Sequence, residues 1–249
     1  IGGHDHGRRA AEIWPVSAPS QTILQDRAQN IARHIVADKG AANIARKDET
    51  QAAIAERRIQ LKPLHVRDAD GAVRTITFDQ AIHWHETREL DHAETEQDHA
   101  HSHHAAESHS ICLGVLAGFQ AIRYACEQLF PREIPAADDF EIEVSGPMDG
   151  VRDILTLYTG KETEYKGAPG PMNRDSFTFT AWKTSTNQSV VFRLREGFVS
   201  NMFYELKNEG ATCGHPQLGK LKQQAILNLL SAPAGDCFER LENAAFSNR

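Results

Sequence analysis

Histidine and acidic residues are concentrated in one part of this chain, between His83 and His109. Eight of the thirteen histidines and seven acidic residues lie there. Imidazole is the commonest protein ligand of transition metals, and closely spaced histidines bind one ion without an ordered scaffold. The stretch 87–109 therefore predicts a metal-binding loop, with His103 and His104 in its densest part. The alternative is a solvated polar insertion without function.

Two further candidate ligands flank this loop. His85 precedes it, and Cys112 follows it at the start of an apolar segment that contains glycines. Thiolate and imidazole together suit zinc or copper, and a helix start favours the thiolate. The alternative for Cys112 is a small buried core residue. His83 joins His85 if the segment is strand-like, and points away from it on a helix.

Two carboxylates form another candidate site. Asp149 and Asp153 follow a predicted strand, where a carboxylate could act as a base or complete a metal's coordination. The alternative is structural, with Asp149 as a helix N-cap and Asp153 in the first turn. Near the other end of the chain, Cys213 and His215 could bind metal, although His215 is equally well placed as a helix cap before Pro216.

The elements that must position these groups follow an α+β pattern. Helical periodicity is present in several segments, and Asp70-Gly71 is a favoured hairpin turn between two alternating runs. We expect a helix to begin at Thr77 or Asp79. We further predict helices over 21–39, 41–61, 111–129, 149–160, 197–209 and 216–231, a strand in 139–146, and hairpins over 64–78 and 175–196. Hairpins and helices in this order are typical of an antiparallel sheet packed on helices.

Composition narrows the range of partners. The net charge is -7 and no basic block occurs, which argues against nucleic acid or an anionic membrane surface. No apolar run approaches the roughly 20 residues of a membrane span. The four cysteines form no CxxC pair, which argues against a zinc ribbon or finger. Cys213 and Cys237 could form a disulfide in an oxidising compartment.

Two motifs together resemble the FmdE-like family, which takes its name from a component of formylmethanofuran dehydrogenase. They are "FDQAIHWHE" before the histidine-rich loop and "CLGVLAGFQA" after it. In this resemblance His85 stands for a family histidine, Cys112 for the family cysteine, and Gly114 and Gly118 for two glycines of a buried helix. Leu113 and Gln120 replace the family's proline and arginine, and His109 is the nearest counterpart of its second histidine.

The likeness extends over roughly residues 75 to 242. "SGPMDGVRDILTLYTG" is similar to a family stretch in which Asp153 and Thr159-Gly160 match, while the family's cysteine falls at Asp149 or Gly150. The resemblance implies that His85 and Cys112 are metal ligands and that 87–109 is an insertion into the metal site. It also implies an FmdE-like domain over 63–249, after an N-terminal arm and helical extension over 1–62, and a homodimer.

Three functions remain open at this stage. The first is a metal-dependent enzyme acting on a small or one-carbon substrate. The second is a metal capture and delivery protein that uses the histidine-rich loop, and the third is an accessory subunit of a larger oxidoreductase. Zinc is the expected ion, with copper or nickel as alternatives. We expect a periplasmic or secreted protein rather than a cytoplasmic one.

Overall fold

A computed structural model of the chain describes residues 48–95, 111–163, 170–212 and 215–241, with backbone alone for 89–95. The chain divides into two compact units, Ile1–Glu49 and Thr50–Arg249. The second unit has an α+β fold with two antiparallel sheets, so the predicted α+β class is confirmed. No helix in the described ranges is long and apolar enough to cross a membrane.

The described part of the chain opens with a helix and a hairpin. Helix α1 covers 48–60, and strands β1 (Leu64–Arg67) and β2 (Val73–Ile76) pair in antiparallel register. Gly71 turns the chain between these strands with φ +85°, as the Asp-Gly pair predicts. Thr77 then caps helix α2 (Phe78–Thr95) through a reciprocal pair of hydrogen bonds with Gln80.

The second sheet is a four-stranded meander of β3 (Phe140–Val144), β4 (Thr178–Lys183), β5 (Gln188–Leu194) and β6 (Phe238–Arg240). Its inward side chains alternate with outward ones, because successive residues of a strand face opposite sides. Phe179 and Phe192 stack on the inner face, and Phe238 meets both rings edge to face. Tyr124 packs against this cluster from the central helix, which seals the sheet against the helical layer.

That central helix, α3 (Leu113–Leu129), is buried along most of its length. It crosses α4 (Asp149–Thr159) at close range, because two glycines on α3 face that helix. A Cβ atom at Gly118 would lie 2.5 Å from Ile154 Cγ2, and one at Gly114 would lie 3.2 Å from Val151 N. The two glycines therefore serve helix packing within the chain.

Three short helices complete the unit: α5 (Asn201–Asn208), α6 (Pro216–Ser231) and α7 (Ala234–Cys237). Gln120 ties α3 to the end of α6, since its amide nitrogen donates to Leu229 O at 2.8 Å. His215 is the N-cap of α6 and accepts from the Leu218 N–H, which is the structural alternative for this residue.

Two expectations need correction. The loop predicted from Thr87 was wrong at its start, because α2 continues to Thr95. Glu, Arg, Leu and Ala follow Thr87, and these residues favour a helix even where the segment is polar. Cys237 is a free, fully buried thiol, and Cys213, with which a disulfide was left open, lies outside the described residues. The sequence patterns also missed β6, which pairs with β5 through only three residues.

Candidate functional site

The site begins with a buried pair of side chains from two helices. His85 on α2 and Asp153 on α4 lie 68 residues apart in sequence, and Nδ1 of His85 lies 2.7 Å from Oδ2 of Asp153. Each side chain is only 5% exposed. A polar pair so deeply buried is stable only when its members bond to each other. Because the carboxylate accepts the proton on Nδ1, Nε2 is the acceptor nitrogen of the neutral ring.

An arginine holds the other oxygen of the carboxylate. Arg88 lies one helical turn after His85, and its Nε is 3.4 Å from Oδ1 of Asp153. The same guanidinium donates to both carboxylate oxygens of Glu162 at 3.0 and 3.2 Å. It also lies 6.0 Å from the centre of the Trp84 ring. Asp153 therefore has an ionic partner on one oxygen and an imidazole on the other, which fixes its orientation.

Cys112 completes the group from the start of α3. It is the N-cap residue, with extended backbone at φ -73° and ψ 122°. Gly150 leaves room for the thiol, since a Cβ atom there would lie 2.7 Å from Sγ. The thiol lies close enough to the His85 side chain for that side chain to lower the pKa of the thiol. The close α3–α4 crossing and the position of α2 thus bring a thiol, an imidazole and a carboxylate into contact in that order.

The surroundings of Cys112 favour its thiolate form. Burial is the largest influence and raises the pKa of the thiol, but it is outweighed by several others. The hydrogen bond and charge of His85 lower the pKa, as do the Val115 backbone N–H and the Lys222 ammonium. The net result is a pKa below the ordinary value of a cysteine. By contrast, burial raises the pKa of Cys126 to about 12.

The remaining predicted site residues lie elsewhere. His83 is on an exposed part of α2 and faces away from His85, as the helical alternative requires. Asp149 begins α4 with its side chain 68% exposed, and Arg152 donates to it at 2.9 Å. Met148, not Asp149, is the N-cap of this helix. His103, His104 and His109 lie outside the described residues.

Sequence reasoning paired His85 with Cys112 and named Asp153 apart from them, so it did not connect the histidine to the carboxylate. It also missed Arg88, Lys222 and Gly150. Arg88 carried a detectable signal, because a position three residues after His85 shares its helix face. Lys222 carried none, since α6 reaches Cys112 only through the tertiary fold.

The donor atoms fit a metal ion in part. The sulfur of Cys112 and Nε2 of His85 are two ligands of the kinds that zinc uses. Within the described ranges, no group of three His, Cys, Asp or Glu residues is arranged to hold an ion.

Comparisons with protein-family models, with curated proteins and with solved structures gave no match for this chain. The resemblance to the FmdE-like domain therefore stays a prediction, and the function is argued from the geometry of the site.

Proposed function

We propose that this protein binds a transition-metal ion through His85 and Cys112. The observation that carries the proposal is the bond between His85 Nδ1 and the buried Asp153, which makes Nε2 the acceptor nitrogen of the neutral ring. Metal-bound histidines usually donate their other ring N–H to a carboxylate, which fixes the tautomer and raises ligand basicity. Zinc is the ion we expect, with copper or nickel as alternatives.

Further ligands would come from the histidine-rich stretch. It directly precedes Cys112, and His109 lies only three residues before the thiol. A set of interchangeable histidines next to one ordered site suits capture and delivery of the ion, which is the second form of this proposal. A bound zinc ion would supply Lewis acidity and an activated water molecule. An FmdE-like, homodimeric enzyme of a small or one-carbon substrate is the form that the sequence resemblance favours. A periplasmic or secreted location is a separate expectation.

The first test is metal stoichiometry. The full chain would be dialysed against zinc and then against a weak chelator, and bound metal would be counted by elemental mass spectrometry. We expect His85→Ala and Cys112→Ser each to lose one tightly held ion. His83→Ala is the matched control, because it removes an exposed imidazole from the same helix. Unchanged stoichiometry in both site variants would refute the proposal.

A second test separates a fixed centre from a delivery protein. Deletion of residues 96–108 leaves α2 and Cys112 in place. If the stretch collects ions for delivery, the deletion should abolish weak, multiple binding but retain one slowly exchanging ion. Loss of that ion as well would assign an essential ligand to the deleted histidines.

One observation favours a second function, that of a thiol nucleophile. Cys112, His85 and Asp153 are linked as nucleophile, base and orienting carboxylate, which is the arrangement of cysteine hydrolases. Hydrolysis of p-nitrophenyl acetate by protein treated with a chelator would test it. A burst of nitrophenol that Cys112→Ser abolishes would support the nucleophile. Background hydrolysis equal in both proteins would eliminate it.

A further inference from the structure

Lys222 on α6 is a charged side chain near Cys112 to which the proposed function gives no role. Its side chain is half-buried, and its positive charge lowers the pKa of the Cys112 thiol. Over the ranges that the structure describes, Lys222 forms no hydrogen bond and no ion pair. An ammonium that is partly removed from water and lacks a fixed partner attracts an anion. Lys222 is therefore a candidate for binding a ligand rather than for holding the fold together.

The packing of α6 against α3 independently places Lys222 beside the thiol. The two helices are joined where the Gln120 amide donates to Leu229 O at 2.8 Å. The α6–α7 connection then lines a cavity together with Arg123, so α6 itself extends toward the start of α3. Lys222 precedes Leu229 by seven residues, which is about 10 Å of helix axis. Leu113, the first residue of α3, precedes Gln120 by the same distance. Lys222 therefore lies level with the helix start that carries the thiol.

The carboxylates that α4 brings to this region are already paired with other cations. Asp153 accepts from His85 and lies 3.4 Å from the Nε of Arg88. Asp149 accepts from Arg152 at 2.9 Å. Helix α6 contains two lysines and no acidic residue of its own. These pairings leave the ammonium of α6 available to an anion that enters the site.

We propose that the site of Cys112 and His85 takes a small anionic ligand of the carboxylate class, and that Lys222 receives its charge. A carboxylate bound there gains a charge-assisted hydrogen bond, and the rest of the ligand lies against the thiol and the imidazole. The inference rests on the proposed function, because it names the class of ligand for the same site. It applies equally to a metal centre and to a thiol nucleophile, since the ammonium positions the ligand in both.

Alkylation of Cys112 in the metal-free full chain tests the proposal. Iodoacetate carries a carboxylate, whereas iodoacetamide has nearly the same size and no charge. Both reagents form a bond between the thiolate sulfur and their methylene carbon and release iodide. The ratio of the two rates therefore cancels any effect of the thiol pKa and reports binding of the charge.

We expect the ratio of the iodoacetate rate to the iodoacetamide rate at Cys112 to exceed that of N-acetylcysteine by about tenfold. The iodoacetate rate should level off as its concentration rises, because a bound complex forms before alkylation. The iodoacetamide rate should rise in proportion to concentration. Mass spectrometry of peptides would measure both rates, and this comparison needs no variant.

Variants assign the preference to one side chain. Lys222→Met should lower the rate ratio by about tenfold and remove the levelling with iodoacetate. Lys222→Arg keeps the charge and should retain most of the preference. Lys220→Met is the matched control, because it removes an exposed lysine from the same helix.

The inference is overturned if wild-type Cys112 shows the rate ratio of N-acetylcysteine, if neither reagent labels it, or if folded Lys222→Met keeps the wild-type ratio. The metal count tests the proposed function separately. A chain that binds no zinc but prefers iodoacetate would refute the metal site alone. A chain that binds zinc without this preference would refute the anionic ligand alone.

Discussion

Asp153→Asn is the substitution that tests the site most directly. It keeps the size of the side chain but removes the charge that orients His85 across 2.7 Å. An asparagine can still present one oxygen to Nδ1, but its amide group then faces Arg88 with a donor where a carboxylate oxygen stood. Both the tautomer of His85 and the pairing of Arg88 are therefore weakened.

The size of the effect follows from burial. A hydrogen bond to a charged group contributes about 1.5–3 kcal/mol, and this pair is almost fully shielded from water. The loss at Arg88 is smaller, since it keeps Glu162, whose side chain is 69% exposed and contributes at most about 1 kcal/mol. We expect the free energy of unfolding to fall by about 2–3 kcal/mol. Removal of the carboxylate partner of a metal-bound histidine should weaken zinc affinity by about 10- to 100-fold.

The assay is a competition titration with a chromogenic zinc chelator, with urea unfolding of the metal-free protein alongside. Asp149→Asn is the matched control, because it removes an exposed carboxylate one turn earlier on α4. The control should change stability by less than about 1 kcal/mol and leave affinity unaltered. Wild-type zinc affinity in folded Asp153→Asn would refute the reasoning that the carboxylate acts through His85.

Three other predictions concern packing and thiols. Gly118→Ala places a Cβ atom 2.5 Å from Ile154, so it should lower the free energy of unfolding by about 1–3 kcal/mol. Gly219→Ala is the control, because its Cβ would meet nothing within 4 Å, and it should not lower the free energy of unfolding. Urea unfolding measures both variants. In metal-free protein at pH 8, iodoacetamide should label Cys112 well before Cys126, because the pKa of Cys112 is lowered and that of Cys126 is raised. Mass spectrometry of peptides would measure the labelling of each thiol. Equal labelling rates would contradict the two pKa shifts. The raised pKa of Cys126 means that unfolding releases a proton from this thiol above pH 9, so its contribution to stability is complete below pH 9 and is lost as the pH rises from 9 to about 12. Cys126→Ala should flatten this slope, and a slope identical to that of the wild type would refute the assignment.

Local sequence patterns were sufficient to predict most of the helices and strands. Asp70-Gly71 predicted the first hairpin because its turn depends on adjacent residues, and Gly71 has the positive φ that such a turn needs. The apolar pattern predicted α3 for the same reason, since a buried helix needs apolar residues around most of its circumference. The polarity of the residues after Thr87 wrongly predicted a loop, because helix-forming residues there continue α2 to Thr95.

The features of the candidate site likewise divide into those that residue type predicted and those that only the tertiary structure showed. The sequence by itself determined the chemistry, because a histidine, a helix-start cysteine and a carboxylate can be recognised from residue type and local context. Only the tertiary structure decided that Asp153 bonds to His85, that Arg88 holds the second oxygen and that Lys222 lies near the thiol. These partners come from separate helices, and their contact depends on how closely α3 and α4 approach at Gly118. Such an approach is set by packing across many residues, which no local spacing encodes.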